Sequence, residues 1–477
     1  MSGTVEATSA VFEVADVLAA TGGELLSLGH YTRFPGVTTD SRRIGAGEVF
    51  VAIRGEQHDG HEFVTEAARL GAGAVVVERA RLPATLPCGV VVVRDTLAAL
   101  GDLAAFHRRR YRPRVVAITG SNGKTTTKEM LTAVLEQALG AGRVLRTAGT
   151  QNNLVGLPLT LLRLGESEEA AILEMGMNGP GEIWRLAEIA EPDVGIVTCV
   201  APAHLEGLRS LRGVAQAKAE LYRRLRPSAT AVVNADDPMV ASGAEAFPGR
   251  RVTFGANAPA DVAATAIVDH GLDGVEFRLV VGRSDVPVRL AVPGRHNVTN
   301  ALAAAAAAHA LDVGPEQVRA GLESFQPPGM RMEVTQLPNG VTVLNDAYNA
   351  NPASMAAALH TLRASSGRRR LAALGEMREL GSEAEHAHRE LGVAAAAAGL
   401  DGLFLLGPHA GSVRAGAEAA GLDAGRIVVA MTHAELADQL RAYCRPGDLL
   451  LLKGSRGAAM EDVLRHLAGD AQAETTP

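Results

Sequence analysis

The chain has 477 residues, which at about 100 to 200 residues per domain predicts roughly three domains. Lysine plus arginine total 46 and aspartate plus glutamate 53, so the net charge of −7 offers no overall basic surface for nucleic acid or an anionic membrane. Cys88, Cys199 and Cys444 lie far apart and form no C-x-x-C pair, so we expect neither disulfides nor a thiolate zinc site.

No segment of the sequence fits a signal peptide or a membrane span, so we expect a cytoplasmic protein. Residues 1–20 lack a basic head and carry Glu6, Glu13 and Asp16, which does not fit a secretory signal peptide. The longest apolar run, 301–311, is about half of the roughly 20 residues that span a bilayer. We therefore expect no membrane insertion and no nucleic-acid partner, and our expectation for the oligomeric state is a monomer.

Short apolar strands and alanine-rich helices alternate along the chain, which is typical of an α/β fold. In residues 1–107, a helix at 63–70 and strands at 74–77 and 90–93 predict a small α/β domain. The basic stretch 107–114 precedes a new strand, so we place the first domain boundary near residue 108.

Residues 108–328 are predicted to form a central P-loop domain with a mostly parallel sheet. Strands at 115–119, 171–173 and 194–200 alternate there with helices at 124–139, 181–189 and 211–225. Pro327, Pro328 and Gly329 interrupt regular structure and mark a second boundary. Beyond it, strands near 342–344, 371–374, 402–406, 426–429 and 449–452 predict a Rossmann-like third domain, 329–477.

The string T-G-S-N-G-K-T-T at 119–126 stands between a strand and a helix, where a phosphate-binding loop is physically sensible. Backbone N–H groups and the helix N-terminus would bind phosphate oxygens, Lys124 would meet the β and γ phosphates, and Thr125 would offer a hydroxyl to Mg²⁺. Ile118 stands where the longer motif has glycine. No N-K-x-D string for guanine is present, which favours ATP over GTP.

Glu174 ends the strand 171–173, so we expect its carboxylate at the carboxyl edge of the sheet, where ligands of open α/β sheets gather. Such a carboxylate can complete a Mg²⁺ site begun by Thr125. A solvated glutamate at a strand end is the simpler alternative, and the preceding phosphate loop favours the metal site.

His204 follows the strand that begins at residue 194, and Lys218 lies fourteen positions later in a predicted helix. Taken alone, a histidine after a strand is more often structural than a ligand, and Lys218 would be a surface lysine. A charged amine would repel a metal, so Lys218 would serve a cation only as an anion such as a carbamate.

Together, the phosphate loop, E-M-G-M-N at 174–178, A-H-L at 203–205 and A-K-A-E at 217–220 resemble the Mur ligase superfamily. Four further strings resemble the branch that joins D-alanyl-D-alanine to UDP-N-acetylmuramoyl-tripeptide: N-N-L-V-G-L-P at 152–158, G-R-H-N-V-T-N at 294–300, Y-N-A-N-P at 348–352 and K-G-S-R at 453–456. The resemblance covers all three expected domains. It implies an ATP-dependent amide ligase of peptidoglycan synthesis that works through an acyl phosphate.

The resemblance also implies roles for individual residues. The catalytic set would be Lys124, Glu174, His204 and Lys218, with Thr125, Glu174, His204 and a carbamylated Lys218 holding Mg²⁺. ATP would contact Gly120, Ser121, Asn122, Gly123, Lys124, Thr125, Thr126, Asn297, Arg331, Asp346 and Asn349. The UDP-sugar peptide would face Thr39, Asp40, Ser41, Arg42, Thr150, Gln151, Asn152 and Asn153, and the dipeptide would face Ser455 and Arg456.

Three positions depart from the pattern of this branch: Cys199, Asn345 and Glu376 stand where asparagine, aspartate and aspartate are usual. Two alternatives stay open from the sequence. One is another ligase of the superfamily, adding diaminopimelate or lysine, against which the Y-N-A-N-P string argues. The other is a P-loop ATPase switch without ligase activity, which leaves the N-terminal D-S-R string at 40–42 and the pair His204 and Lys218 without a purpose.

Overall fold

The computed structural model describes residues 10–55, 58–81 and 86–468. It confirms the expected α/β architecture, with three large sheets in chain order whose strands are mainly parallel. The expected first and third domains each include nine terminal residues, 1–9 and 469–477, that lie outside the described residues.

The N-terminal region is a five-stranded sheet with a helical connection to the rest of the chain. Its elements are β1 (Phe12–Glu13), α1 (Val14–Thr21), β2 (Glu24–Ser27), β3 (Arg33–Phe34), β4 (Val37–Thr38), β5 (Val49–Val51), α2 (Val64–Arg69), β6 (Ala74–Glu78), β7 (Gly89–Val93) and α3 (Thr96–Arg110). The strand order is β2-β7-β6-β5-β4, with β2 antiparallel to β7 and the others parallel, and β1 pairs separately with β3.

The central region is built on a nine-stranded sheet. Its elements are β8 (Arg114–Thr119), α4 (Lys124–Leu139), β9 (Val144–Arg146), α5 (Gly156–Leu161), β10 (Ala170–Glu174), α6 (Glu182–Ala190), β11 (Val194–Val197), α7 (Leu205–Leu208), α8 (Leu211–Lys218), α9 (Glu220–Arg224), β12 (Thr230–Asn234), α10 (Pro238–Ala244), β13 (Arg250–Gly255), β14 (Val262–Asp269), β15 (Val275–Val281), β16 (Ser284–Leu290), α11 (His296–Ala310) and α12 (Pro315–Ser324). The order is β16-β15-β14-β13-β12-β11-β8-β10-β9, and β8 therefore lies between β10 and β11.

The C-terminal region is a six-stranded, doubly wound sheet. Its elements are β17 (Glu333–Gln336), β18 (Thr342–Asp346), α13 (Pro352–Ala364), β19 (Arg370–Leu374), α14 (Ala384–Ala397), β20 (Gly402–Leu406), α15 (Ala410–Ala419), β21 (Ile427–Ala430), α16 (His433–Tyr443), β22 (Leu449–Lys453) and α17 (Glu461–Ala468). The order β17-β18-β22-β19-β20-β21 puts the ends of β18, β22 and β19 side by side, and only the β17–β18 pairing among these is antiparallel.

Three details differ from the sequence-based expectation. The strand predicted to reach residue 200 ends at Val197, because Thr198 leaves the sheet and donates its hydroxyl to the carbonyl of Asn122 at 2.5 Å. The helix predicted over 211–225 is two helices that meet at Ala219. Strands β14 to β16 form an antiparallel extension of the central sheet that the sequence did not predict.

The domain boundaries stay predictions. Residue 108 lies inside α3, which packs against α1, α5 and α6, and 327–329 lie between α12 and β17. Helix α11 carries an alanine tract, 303–308, that is buried where this helix packs closely against α4 and β12 to β14. No helix in the described ranges is both long enough and apolar enough to span a bilayer.

Candidate functional site

The predicted phosphate loop connects β8 to α4 and depends on two glycines. Gly120 has φ +148° and Gly123 φ +81°, and a Cβ added at these positions would meet Thr198 Oγ1 at 1.8 Å and Asn300 Oδ1 at 2.2 Å. Side chains are therefore excluded from the cradle, and its N–H groups and the N-terminus of α4 stay open to an anion. Lys124 Nζ donates to the carbonyl of Gly120 at 2.8 Å, and burial lowers the pKa of Lys124.

Glu174 lies at the carboxyl end of β10, as predicted, and pairs in register with Ile118 of β8. Its carboxylate accepts hydrogen bonds from Thr125 Oγ1 at 2.8 Å and from Asn152 Nδ2 at 2.9 Å. The sheet therefore joins two of the predicted metal ligands directly.

Lys128 is a buried cation behind Glu174 that sequence reasoning missed. Its Nζ donates to the carbonyl of Thr147 at 2.7 Å and lies 3.0 Å from Glu129 and 3.9 Å from Glu174. It stands one helical turn after Lys124, a spacing that places both amines on the same face of α4.

The segment after β11 supports the phosphate loop and ends at His204. Ser121 donates its hydroxyl to the carbonyl of Ala201 at 2.9 Å, and Cys199 Sγ lies 3.7 Å from the carbonyl oxygen of Asn122. Burial raises the pKa of the Cys199 thiol, so this departure from the family pattern places a neutral group beside the loop. His204 adopts a left-handed backbone with φ +55°.

Lys218 is buried at the end of α8, with 2% of its surface exposed, so the surface-lysine alternative is wrong. No ion pair to Lys218 occurs in the described part of the chain. Burial and the neighbouring charge of Lys124 hold the pKa of Lys218 well below its usual value, which favours the neutral amine.

The opposite wall of the site comes from the ends of β18, β22 and β19. Asp346 pairs in register with Lys453, whose buried Nζ lies 2.5 Å from the Asp346 carboxylate and donates to the carbonyl of Asn349 at 2.9 Å. Lys453 was quoted in a motif but not predicted as a site residue. Like Glu174, Lys453 ends an apolar strand, and this position could have identified it as a site residue.

Arg331 reaches from this wall to the phosphate loop. Its Nη2 donates to Thr125 Oγ1 at 2.9 Å, and its guanidinium lies 3.8 Å from the centre of the Tyr348 ring. The flanking Met330 and Met332 both have left-handed backbones, with φ of +62° and +54°. These two strained residues aim Arg331 into the site.

Two further contacts join the walls. Asn122 and Asn351 exchange side-chain amide hydrogen bonds of 2.8 and 3.3 Å. His204 Nδ1 lies 2.5 Å from Glu379 Oε2, and this contact lowers the pKa of the Glu379 carboxyl. Neither Asn351 nor Glu379 was predicted from the sequence as a site residue.

Ser455 and Arg456 follow β22 at the rim of the same wall. The Ser455 hydroxyl is buried and has no hydrogen-bond partner among the described residues. Arg456 forms an ion pair with Glu461. Glu376, another departure from the family pattern, accepts from Arg378 Nε at 2.5 Å, and Asn345 donates to Glu333 at 3.2 Å.

The two walls enclose a cleft of about 670 Å³. Most predicted residues of the nucleotide and metal sets line it: Ser121, Asn122, Gly123, Lys124, Thr125, Thr126, Glu174, His204, Asn297, Arg331, Asp346 and Asn349. Thr150, Asn152, Ser455 and Arg456 of the substrate sets also line it. Gly120 and Lys218 lie outside the lining, as do Gln151 and Asn153, the last of which accepts hydrogen bonds from backbone N–H groups at the start of α5.

The predicted N-terminal substrate residues lie apart from this lining. Thr39, Asp40, Ser41 and Arg42 follow β4, and Asp40 forms a two-point ion pair with Arg42, whose side chain is exposed. The hydrogen bond from Arg42 lowers the pKa of Asp40. The structure thus presents a charged N-terminal loop and a separate cleft between the other two sheets.

Side chains of the cleft form only part of a cation site. Within 10–55, 58–81 and 86–468, no three His, Cys, Asp or Glu side chains cluster in a way that could hold a cation. Thr125 and Glu174 meet, and His204 lines the same cleft, whereas Lys218 is buried outside its lining. Any second cation site would need an anion from another source.

The lysine content of the sequence was a signal that motif reasoning did not use. The chain has four lysines, and all of them are in or directly behind this site: Lys124, Lys128, Lys218 and Lys453. The remaining 42 basic residues are arginines. Arginine cannot deprotonate or act as a compact point charge, so these four lysines supply ammonium or amine groups that the arginines could not.

Comparison with known proteins agrees with this geometry. The chain matches, in order, the catalytic domain of the Mur ligase family over residues 33–108, the Mur ligase middle domain over 118–308 and the Mur ligase, glutamate ligase domain over 330–456. An Escherichia coli K12 protein named UDP-N-acetylmuramoyl-tripeptide–D-alanyl-D-alanine ligase is 39% identical over 437 residues, covering 90% of this chain and 93% of the relative. The chain belongs to the Mur ligase family.

Solved structures resemble this Mur ligase over nearly its whole length. A crystal structure of MurF from Acinetobacter baumannii has a TM-score of 0.88 and 32% identity, covering 96% of this chain and 99% of that one. The MurF ligase of Thermotoga maritima, solved in complex with ADP, has a TM-score of 0.81 and 28% identity, covering 91% and 96%. The three-domain arrangement of this Mur ligase is therefore that of solved relatives.

Proposed function

We propose that this chain is the ATP-dependent ligase that joins D-alanyl-D-alanine to UDP-N-acetylmuramoyl-tripeptide, forming the pentapeptide precursor of peptidoglycan. The observation that carries the proposal is the identity of 39% over 90% of the chain to a ligase of that name. The cleft supports it, since a phosphate loop faces a second wall that can bring a nucleophile to an activated carboxylate.

The reaction needs ATP because a free carboxylate is a poor acyl donor. Phosphorylation of the tripeptide's terminal carboxylate gives an acyl phosphate, and attack by the deprotonated dipeptide amine then forms the amide and releases phosphate. Lys124, which donates to the carbonyl of Gly120, and Arg331, which donates to Thr125, would hold and neutralise the phosphoryl group during its transfer. The cleft walls would exclude water from the acyl phosphate.

Thr125 and Glu174 fit a Mg²⁺ ion. The two side chains are in contact at 2.8 Å and supply oxygen ligands, which Mg²⁺ prefers, while it keeps several waters. Bound Mg²⁺ would offset charge on the phosphates. His204 is the third residue we propose for cation binding, and its Nε2 remains available because Nδ1 faces Glu379.

We further propose that Lys218 carries a carbamate. Only a neutral amine reacts with CO₂, and burial together with Lys124 disfavours the protonated form of Lys218. The carbamate would provide the anion that the described His, Cys, Asp and Glu side chains do not.

The small number of lysines makes the carbamate directly observable. With ¹³C-bicarbonate, the wild type should show a carbamate ¹³C resonance that K218M lacks and that the matched variant K128M retains. Activity of K218A should fall and be partly restored by short-chain carboxylates. A K218M spectrum identical to that of the wild type would contradict the carbamate.

For the substrates, we propose that the loop 39–42 and residues 150–153 face the UDP-sugar peptide and that Ser455 and Arg456 face the dipeptide. The unpartnered Ser455 hydroxyl supports this, because a buried donor without a partner favours a ligand that can pair with it. Because ATP and nucleotide-linked sugars are cytoplasmic metabolites, we propose that the reaction takes place in the cytoplasm. Sedimentation would test the expected monomer.

The test of the overall function is phosphate release from ATP with UDP-N-acetylmuramoyl-tripeptide. Addition of D-alanyl-D-alanine should raise the rate, whereas diaminopimelate or lysine should leave it at the background value. A rate of phosphate release that does not change when the dipeptide is added would contradict the ligase function and favour an ATPase switch. Stimulation by diaminopimelate would instead favour the neighbouring ligase of the family.

A further inference from the structure

Three carboxylates line the cleft among the described residues, and only one of them is available to a ligand that enters from solvent. Glu174 is 3% exposed and is bonded to Thr125 and Asn152. The Asp346 side chain is 16% exposed and is paired with Lys453. The Glu379 side chain is 53% exposed.

The backbone around Glu379 holds this carboxylate in place. Glu379 has φ +63°, a conformation that costs a non-glycine residue energy and therefore needs support from its surroundings. Two residues earlier, the backbone N–H of Met377 donates to Nε2 of the buried His388 at 2.9 Å. Oε2 of Glu379 faces His204, and no described residue forms a hydrogen bond with Oε1.

The charges across the cleft explain why a carboxylate is needed here. Lys124 lies close enough to Glu379 to interact with it electrostatically, and Arg331 projects into the same cleft. The dipeptide enters as a zwitterion whose amine is protonated near neutral pH, because an α-amino group has a pKa of about 8. Its ammonium group would be repelled by this cationic surface except beside an anion.

Building on the ligase function proposed above, we propose that Glu379 binds the ammonium group of D-alanyl-D-alanine and holds its nitrogen beside the phosphate loop. The contact of Glu379 with His204 ties this group to the central domain. The dipeptide nitrogen would then be positioned only when the two walls face each other, and it would attack after the ammonium group has lost a proton.

The experiment compares E379Q with E383Q, an identical change at an exposed glutamate of the same domain outside the cleft lining. In E379Q, the KM for D-alanyl-D-alanine should rise about 10- to 100-fold, as expected for loss of a hydrogen bond to a charged group. The KM values for ATP and the sugar peptide should not change. E383Q should match the wild type.

Hydroxylamine separates nucleophile binding from activation of the carboxylate. It is neutral near pH 7, and attack of its nitrogen on the acyl phosphate releases phosphate and gives a hydroxamate. E379Q should therefore form hydroxamate at the wild-type rate while losing affinity for the dipeptide.

An unchanged dipeptide KM in E379Q would overturn the inference. So would a parallel loss of hydroxamate, because Glu379 would then act on acyl phosphate formation through His204. If the wild type itself formed no hydroxamate and ignored the dipeptide, the proposed function would fail, and the inference with it.

Discussion

On the central wall of the cleft, polar side chains follow the ends of three adjacent strands, and hydrogen bonds within the central domain connect several of them. Thr125, Glu174 and Asn152 form one such chain. On the C-terminal wall, Arg331 and Glu379 depend on left-handed backbones and on partners in the other domain. The first wall is a preformed phosphate site, and the second becomes a site only when the domains meet.

Substitution of Lys124 should produce the largest effect. K124M removes the amine that faces the transferring phosphoryl group, so kcat/KM should fall about 10²- to 10³-fold. K124R should not restore activity, because a planar guanidinium cannot replace the compact ammonium that donates to the carbonyl of Gly120. Steady-state kinetics test this, with an unchanged circular dichroism spectrum as the control for folding. Activity of K124M within tenfold of the wild type would contradict the assignment of this wall.

Asn351 tests the contact between the walls. The side-chain oxygen of Asn351 accepts a hydrogen bond from the backbone N–H of Ser354 at the start of α13, and its side-chain amide pairs with that of Asn122. N351S keeps a capping oxygen but loses the amide pair, so the free energy of unfolding should fall by about 1 kcal/mol. N351A loses both the cap and the amide pair, so its free energy of unfolding should be lower by about a further 1 kcal/mol. Chemical denaturation measures both differences, and equal values for N351S and the wild type would show that the amide pair contributes nothing.

Substitution of His388 should give the smallest effect, a change in how stability depends on pH. Burial lowers the pKa of His388, so the unfolded chain takes up this proton before the folded chain does. Stability should therefore fall as the pH drops below about 6.5, the ordinary histidine value, and level off below the lowered pKa. The thermal midpoint of H388Q should fall less between pH 7.5 and 5.5 than that of the wild type, whereas H386Q, at an exposed position on the same helix, should follow the wild type. Equal slopes for H388Q and the wild type would show that His388 does not set the acid response.

Sequence reasoning succeeded where a local pattern carries the chemistry. The phosphate loop and Glu174 were predicted because glycines, a lysine and a strand end are visible in the sequence, and the register of β8 with β10 then makes them neighbours. The prediction that β11 reaches residue 200 was wrong, because Thr198 bonds to Asn122, a residue far away in sequence. Glu379 and Asn351 were missed because their partners belong to another domain.

The sequence by itself determined the fold class, the family, the phosphate loop and the edge carboxylate, since each follows from short-range pattern and strand direction. Only the tertiary structure decided that Lys218 is buried, that Arg331 reaches Thr125 and that Glu379 meets His204. These facts depend on burial and on contacts between domains, which have no local signature. The four lysines are rare in the sequence, but only the fold shows that they lie in or directly behind one cleft.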